Sequence, residues 1–329
     1  MAVQFCQVIR KMLFGCAVLA AMPISIAQAQ SIWLAPRAPF PPANVPGAID
    51  LMDLFQPDAP WLGVASHVKV FKLPTMFLAW VPDEQLGTIV QDLNRRGIAL
   101  AMESLAQSAL DQPQCGHNVE GYSDPRMAQK IAEKIKRVGG TLRFVAMDEP
   151  LFFGHFYNSP EACHSPVDNV ADRVAAVLSR YRTVFPDVLI GDIEPAGATL
   201  FPGWDGAFAA WVGAFQKAVG APLAFLQVDA DWNNPNHVEG IRRSAALAAT
   251  NGLPLGVIYN GRGNDRSDQQ WITSARTNID SVEAILGQRP DQAIFQTWMA
   301  HPARVLPETD ADSLTGLIEY YVRSRGIHK

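Results

Sequence analysis

From His67 to its end the chain alternates short apolar runs with amphipathic stretches of helical period. The apolar runs are "HVKVFKL", "IALAME", "LRFVAMDEP", "VLIGDIEP", "PLAFLQVDADW", "LPLGVIYNG" and "QAIFQTWMAHP". They are continuous rather than alternating, the pattern of strands buried on both faces and therefore parallel. Between them, Leu86, Ile89, Val90 and Leu93 share one helical face that stops at Gly97. Val170, Val174, Val177, Tyr181 and Val184 form a second such face. Seven strand–helix units over about 270 residues predict an α/β chain folded as a (β/α)8 TIM-type barrel. Only seven strands are clear; the eighth is sought in "AIDLMDLF" or "RVLP", or else the barrel is irregular. A doubly wound open sheet would carry a glycine-rich turn after its first strand, and "KLPTMFLAWVPD" has none.

The ends of the chain divide simply. Residues 1–29 combine Arg10 and Lys11, an apolar core and the small-residue pattern "AQA", the marks of a secretory signal peptide. Residues 30–60 read as a proline-rich lead-in and 61–329 as the barrel domain. The expected location is the periplasm or the extracellular space, with no membrane span left after cleavage. Losing the leader removes two cations and no acid, which takes the formal charge from −5 to −7. No basic run survives to recruit nucleic acid. Cys115 and Cys163 are then the remaining cysteines, and in an exported chain they are expected to pair.

In a parallel barrel the carboxyl ends of the strands form the mouth. Here four consecutive strands deliver acids there: Glu103, then Asp148 and Glu149, then Asp192 and Glu194, then Asp229 and Asp231. Later strands end in Tyr259 and Asn260 and in Trp298. Side chains alternate along a strand, so Asp192 and Glu194 share one direction, and of Asp148 and Glu149 only one projects fully into the mouth. Any one of these acids could instead cap a helix or pair with an arginine. Several crowded into one apolar-walled mouth would raise one another's pKa and create the unequal pair that acid–base chemistry requires.

Flat rings beside acids and amides suit the apolar faces and hydroxyl edges of sugars, with Trp232 and Trp298 as stacking candidates and His155 as a hydroxyl contact. Glycoside hydrolysis uses one carboxylic acid and one carboxylate, about 5–5.5 Å apart for retention and roughly 6.5–9.5 Å apart for inversion. Glu149 and Glu194, on adjacent strand ends, are the expected catalytic pair. The substrate-binding set is Glu103, Asp148, His155, Asp192, Asp229 and Asp231, with Trp232, Tyr259, Asn260 and Trp298 from the later strands.

Strands closing on "DEP" and "IEP" in a secreted barrel resemble the glycoside hydrolase superfamily, in which an acid–base glutamate follows a barrel strand in an "NEP"-type motif. The resemblance spans Val68 to Lys329 and implies a carbohydrate substrate, with Glu149 as general acid. Two departures stand beside it. Asp148 replaces the motif's asparagine, and the late strands end in "YNG" and "QTWMAH", with no acid where the large retaining clan keeps its nucleophile. No cofactor is expected. The histidines are scattered without HxH or HExxH spacing, so no metal site is expected, and no GxSxG elbow is present. The alternative function is a non-catalytic saccharide-binding barrel of the cell envelope.

Overall fold

The computed structural model describes residues 30–40, 42, 44, 46–108 and 115–328. The predicted signal peptide lies outside the described residues. Eight parallel strands close into a barrel: β1 (Ser31–Ala35), β2 (Val68–Pro74), β3 (Ala99–Ser104), β4 (Leu142–Asp148), β5 (Leu189–Pro195), β6 (Leu226–Asp229), β7 (Leu255–Tyr259) and β8 (Gln292–Gln296). Each pairs with its neighbours in chain order, and β1 closes the ring against both β2 and β8.

The eighth strand is thus "SIWLA", inside the segment read as lead-in. "AIDLMDLF" supplies a short 3-10 helix at Leu51–Phe55 instead, and "RVLP" supplies no strand. The prolines that follow β1 disguise it as extended coil, yet Ile32, Trp33 and Leu34 are all buried.

The helices follow their sequence signals. Asp83–Arg96 buries Leu86, Ile89, Val90 and Leu93 and ends on Gly97 in the left-handed region, φ 69°. Asp124 caps Pro125–Arg137 by accepting the Arg126 N–H. Among the described residues no helix is long and apolar enough to cross a membrane.

Alternation sorts the strand residues into two shells. Outward residues such as Leu34, Met147 and Ile190 join the large layer between barrel and helices. Inward residues, among them Trp33, Ala101, Ala146, Ile193 and Ile294, fill the barrel. Low in the interior the rings of Trp33, Phe144 and Phe225 meet, with centroids 5.1, 5.5 and 6.3 Å apart. Phe225 fits because β5 carries Gly191 beside it; a Cβ there would lie 2.1 Å from the ring. Above this plug the inward side chains turn polar: Gln227 donates to Gln292 at 2.9 Å, and higher still come Lys72, Glu103, Asp148, Asp229 and Gln296.

Candidate active site

The polar layer begins with Lys72, a lysine inside an apolar run and 1% exposed. Its Nζ lies 2.5 Å from Glu103 Oε2, and Gln296 Nε2 donates to the same oxygen at 2.9 Å. Glu103 is therefore held by a cation and an amide. These three residues line a cavity of about 130 Å³ with Arg37 and Trp298.

Glu149 follows the last residue of β4 in a left-handed conformation, φ 49°, unusual for a side chain with a Cβ. Its backbone is pinned on both sides. The N–H donates to the Ile193 carbonyl at 3.0 Å, and the carbonyl accepts from Phe153 N–H at 3.0 Å. The turn throws the Glu149 side chain toward a second cavity of about 320 Å³, lined also by Asp229, Asp231, Trp232, Asn260 and Trp298. Glu149 and Asp229 face this shared space, and among the described residues no donor is bonded to either carboxylate. Burial, then Asp229, then Asp148 push the Glu149 carboxyl well above its usual range. Burial and Glu103 raise Asp229 to about 7, while Lys72 pulls it back down. Asp148 points inward and is raised by burial and by Glu103 and Glu120.

Several expected site residues lie elsewhere. Asp192 and Glu194 do share a direction, but it is outward. Asp192 is fully buried against the helix Trp204–Val219 and accepts the Trp211 indole N–H at 2.7 Å. Glu194, 4% exposed, accepts the backbone N–H groups of Leu151 and Phe152 at 2.8 and 3.1 Å. Both of its oxygens cap the turn after β4, and Glu194 does not line the cavity that Glu149 and Asp229 share. Inward positions on β5 fall to Gly191 and Ile193, which carry no acid.

Tyr259 likewise points outward, buried against Phe295 and Tyr321, and does not reach the mouth. Trp232 borders the larger cavity but is buried, with its indole N–H donated to Asn260 Oδ1 and its ring edge-on to His237. It walls the cavity rather than offering a free stacking face, and the Asn260 side chain is engaged in holding it. His155 donates from Nδ1 to the Ser165 carbonyl at 2.6 Å and packs edge-on against Phe156. Asp231 is exposed and accepts the Asn233 N–H at 3.0 Å. Trp298 is 48% exposed and borders both cavities.

Four residues of the mouth escaped the sequence reading. Glu120 sits in a long loop with no periodicity to mark it; partial burial of its carboxyl and the nearby Glu103 push its pKa up. Arg37 follows the unrecognised first strand. Lys72 and Gln296 carried a usable signal, since each interrupts an apolar strand at an inward position. The expected bridge between Cys115 and Cys163 is present with Cα atoms 5.1 Å apart. Beside it, Gly116 N–H donates to the Glu161 carbonyl at 2.7 Å, tying together the loops that follow β3 and β4.

No family model matches the chain, and no curated protein matches it. Among solved structures, a fungal β-1,4-galactanase superposes with a TM-score of 0.51 at 10% identity, covering 89% of this chain and 100% of that one. An intracellular xylanase from Thermoanaerobacterium saccharolyticum gives 0.49 at 12% identity, covering 82% and 86%. At 10% identity the likeness to the galactanase is one of fold, a (β/α)8 barrel.

Proposed function

We propose that the chain is a glycoside hydrolase acting on an oligo- or polysaccharide, with Glu149 as general acid and Asp229 as nucleophile or base. The observation that carries this reading is the pair itself: two carboxylates at the carboxyl ends of barrel strands face one open cavity, unbonded, with Asp229 raising the pKa of Glu149. Such a dyad titrates as a unit. Lys72 favours the ionised form of Asp229, which this reading makes the carboxylate of the pair, and Glu149 is assigned the proton. Protonated Glu149 donates to the glycosidic oxygen as its bond to the anomeric carbon breaks. Ionised Asp229 either attacks that carbon or takes a proton from the attacking water. Trp298 gives the sugar ring a flat apolar face, and the left-handed turn at Glu149 holds the acid in place before substrate arrives.

Acids tied into caps would favour the rival reading, a barrel that binds saccharide without cutting it. Asp192 and Glu194 are tied in that way; Glu149 and Asp229 are not. Export to the periplasm or beyond belongs to the same proposal, supported by the leader-like first 29 residues and by the disulfide.

The experiment is a glycan panel assayed by release of reducing ends with wild type, Glu149→Gln and Asp229→Asn. On the cleaved glycan each substitution should lower turnover by about 10²–10⁴ with the fold intact. A wild-type rate for Glu149→Gln removes that residue from the mechanism.

A further inference from the structure

The charge around the mouth is one-sided. Glu103, Glu120, Asp148, Glu149, Asp229 and Asp231 gather from β3, β4, β6 and one loop. Facing them are Lys72, already paired with Glu103, and Arg37 at the rim. Arg37 donates to the Gly47 carbonyl at 3.1 Å and lies near Asp268, so it does little to balance the acids. An independent feature points the same way. Gln296 is 7% exposed and donates its amide N–H to Glu103, yet its Oε1 is buried with no partner while the residue lines the smaller cavity. A buried acceptor left open asks for a donor from a ligand. Lys72 Nζ is ion-paired with Glu103 and makes no hydrogen bond; Arg37 aside, the other uncommitted groups facing the two cavities all carry acceptor oxygens, namely the Glu149 and Asp229 carboxyl groups and the Gln296 amide. Arg37 Nε, also unbonded, offers a donor for a sugar oxygen.

We infer that the mouth is built for a saccharide bearing a free, protonated amine, an amino sugar whose ammonium sits among these acceptors. A hydroxyl brings one donor and no charge, so a neutral ring does nothing to favour the ionised forms of the acids. An ammonium brings three donors and a positive charge, and charge-assisted hydrogen bonds to carboxylates are the stronger kind. The same cation favours ionised carboxylates, so its binding should expel protons from the acid cluster. This inference rests on the reading of the mouth as a saccharide site and adds the chemical class of its ligand.

The test is calorimetry of the full chain with a chitosan tetramer, the chitin tetramer that differs by acetylation of each amine, and cellotetraose. It is run at mildly acidic pH and low ionic strength, in two buffers of different ionisation enthalpy. Chitosan should bind about tenfold more tightly than either neutral tetramer and release protons on binding. Added salt should shrink that ratio, and Glu120→Gln should reduce it severalfold. Equal or tighter binding of the neutral tetramers, or no binding of chitosan, overturns the inference. Mass spectrometry of the same mixtures reads cleavage separately. A neutral tetramer cut without amine preference sinks the inference and leaves hydrolysis standing. Amine preference with no tetramer cut keeps the inference and counts against hydrolysis.

Discussion

The Glu194 carboxylate holds the backbone N–H groups of Leu151 and Phe152, on the turn that starts at Glu149. An outward acid of one strand thereby fixes the backbone that presents the inward acid of its neighbour. Burial, Asp192 and Glu149 all raise the Glu194 pKa, and these two N–H bonds oppose them. Glu194→Gln leaves one N–H without an acceptor, which costs on the order of 1–3 kcal/mol. The expected outcome is a melting temperature lower by a few degrees, with turnover reduced far less than in Glu149→Gln. Equal losses of activity in the two variants would contradict this division of roles.

Asp229 gives a pH signature of stability. Its pKa rises from 3.8 to about 7 on folding, so the folded chain keeps a proton there that the unfolded chain has already lost. The stabilisation is full below the unfolded value and drains away as pH rises through the folded one. Asp229→Asn removes that titration. Denaturant midpoints measured across the window should fall less steeply with pH in the variant, which at neutral pH should be about 1–2 kcal/mol more stable than wild type. Parallel curves for the two proteins would show that Asp229 titrates normally.

The Cys115–Cys163 bridge closes a chain segment of 48 residues. In the chain-entropy model such a closure contributes on the order of 4 kcal/mol. Replacing both cysteines by serine should lower stability by about 2–4 kcal/mol in chemical denaturation. It should also loosen the loop that carries Glu120. A doubly substituted chain with unchanged stability would make the bridge incidental.

Trp298 is exposed and borders both cavities, so its removal should touch binding and little else. Trp298→Ala is expected to raise KM about 2–10-fold, with stability changed by less than about 0.5 kcal/mol. A lower kcat at unchanged KM would place the ring in the chemical step instead.

The legible parts of this fold were those written in periodicity. Seven strands and their helices stand where continuous apolar runs and helical faces put them, and Gly97 stops its helix through the predicted left-handed turn. "SIWLA" escaped because five residues carry no period and the prolines after it imitate a linker. The acids were legible as a group at the strand ends but not in their directions. Parity shows that Asp192 and Glu194 point together, whereas which face is inward depends on the register with β4 and β6, which no local pattern encodes. The small inward residues settle it: Gly191 makes room for Phe225, and that choice sends Asp192 and Glu194 outward. Glu120 lies in a loop, where only tertiary contact assigns a residue to a site.

The ring cluster of Trp33, Phe144 and Phe225 seals the lower half of the barrel. No polymer can thread through such a molecule. On the proposed reading a saccharide chain would lie across the top, and both fragments would depart by the door through which their parent came in. Traffic at that single entrance, rather than passage along a tunnel, would then govern how many cuts follow one encounter.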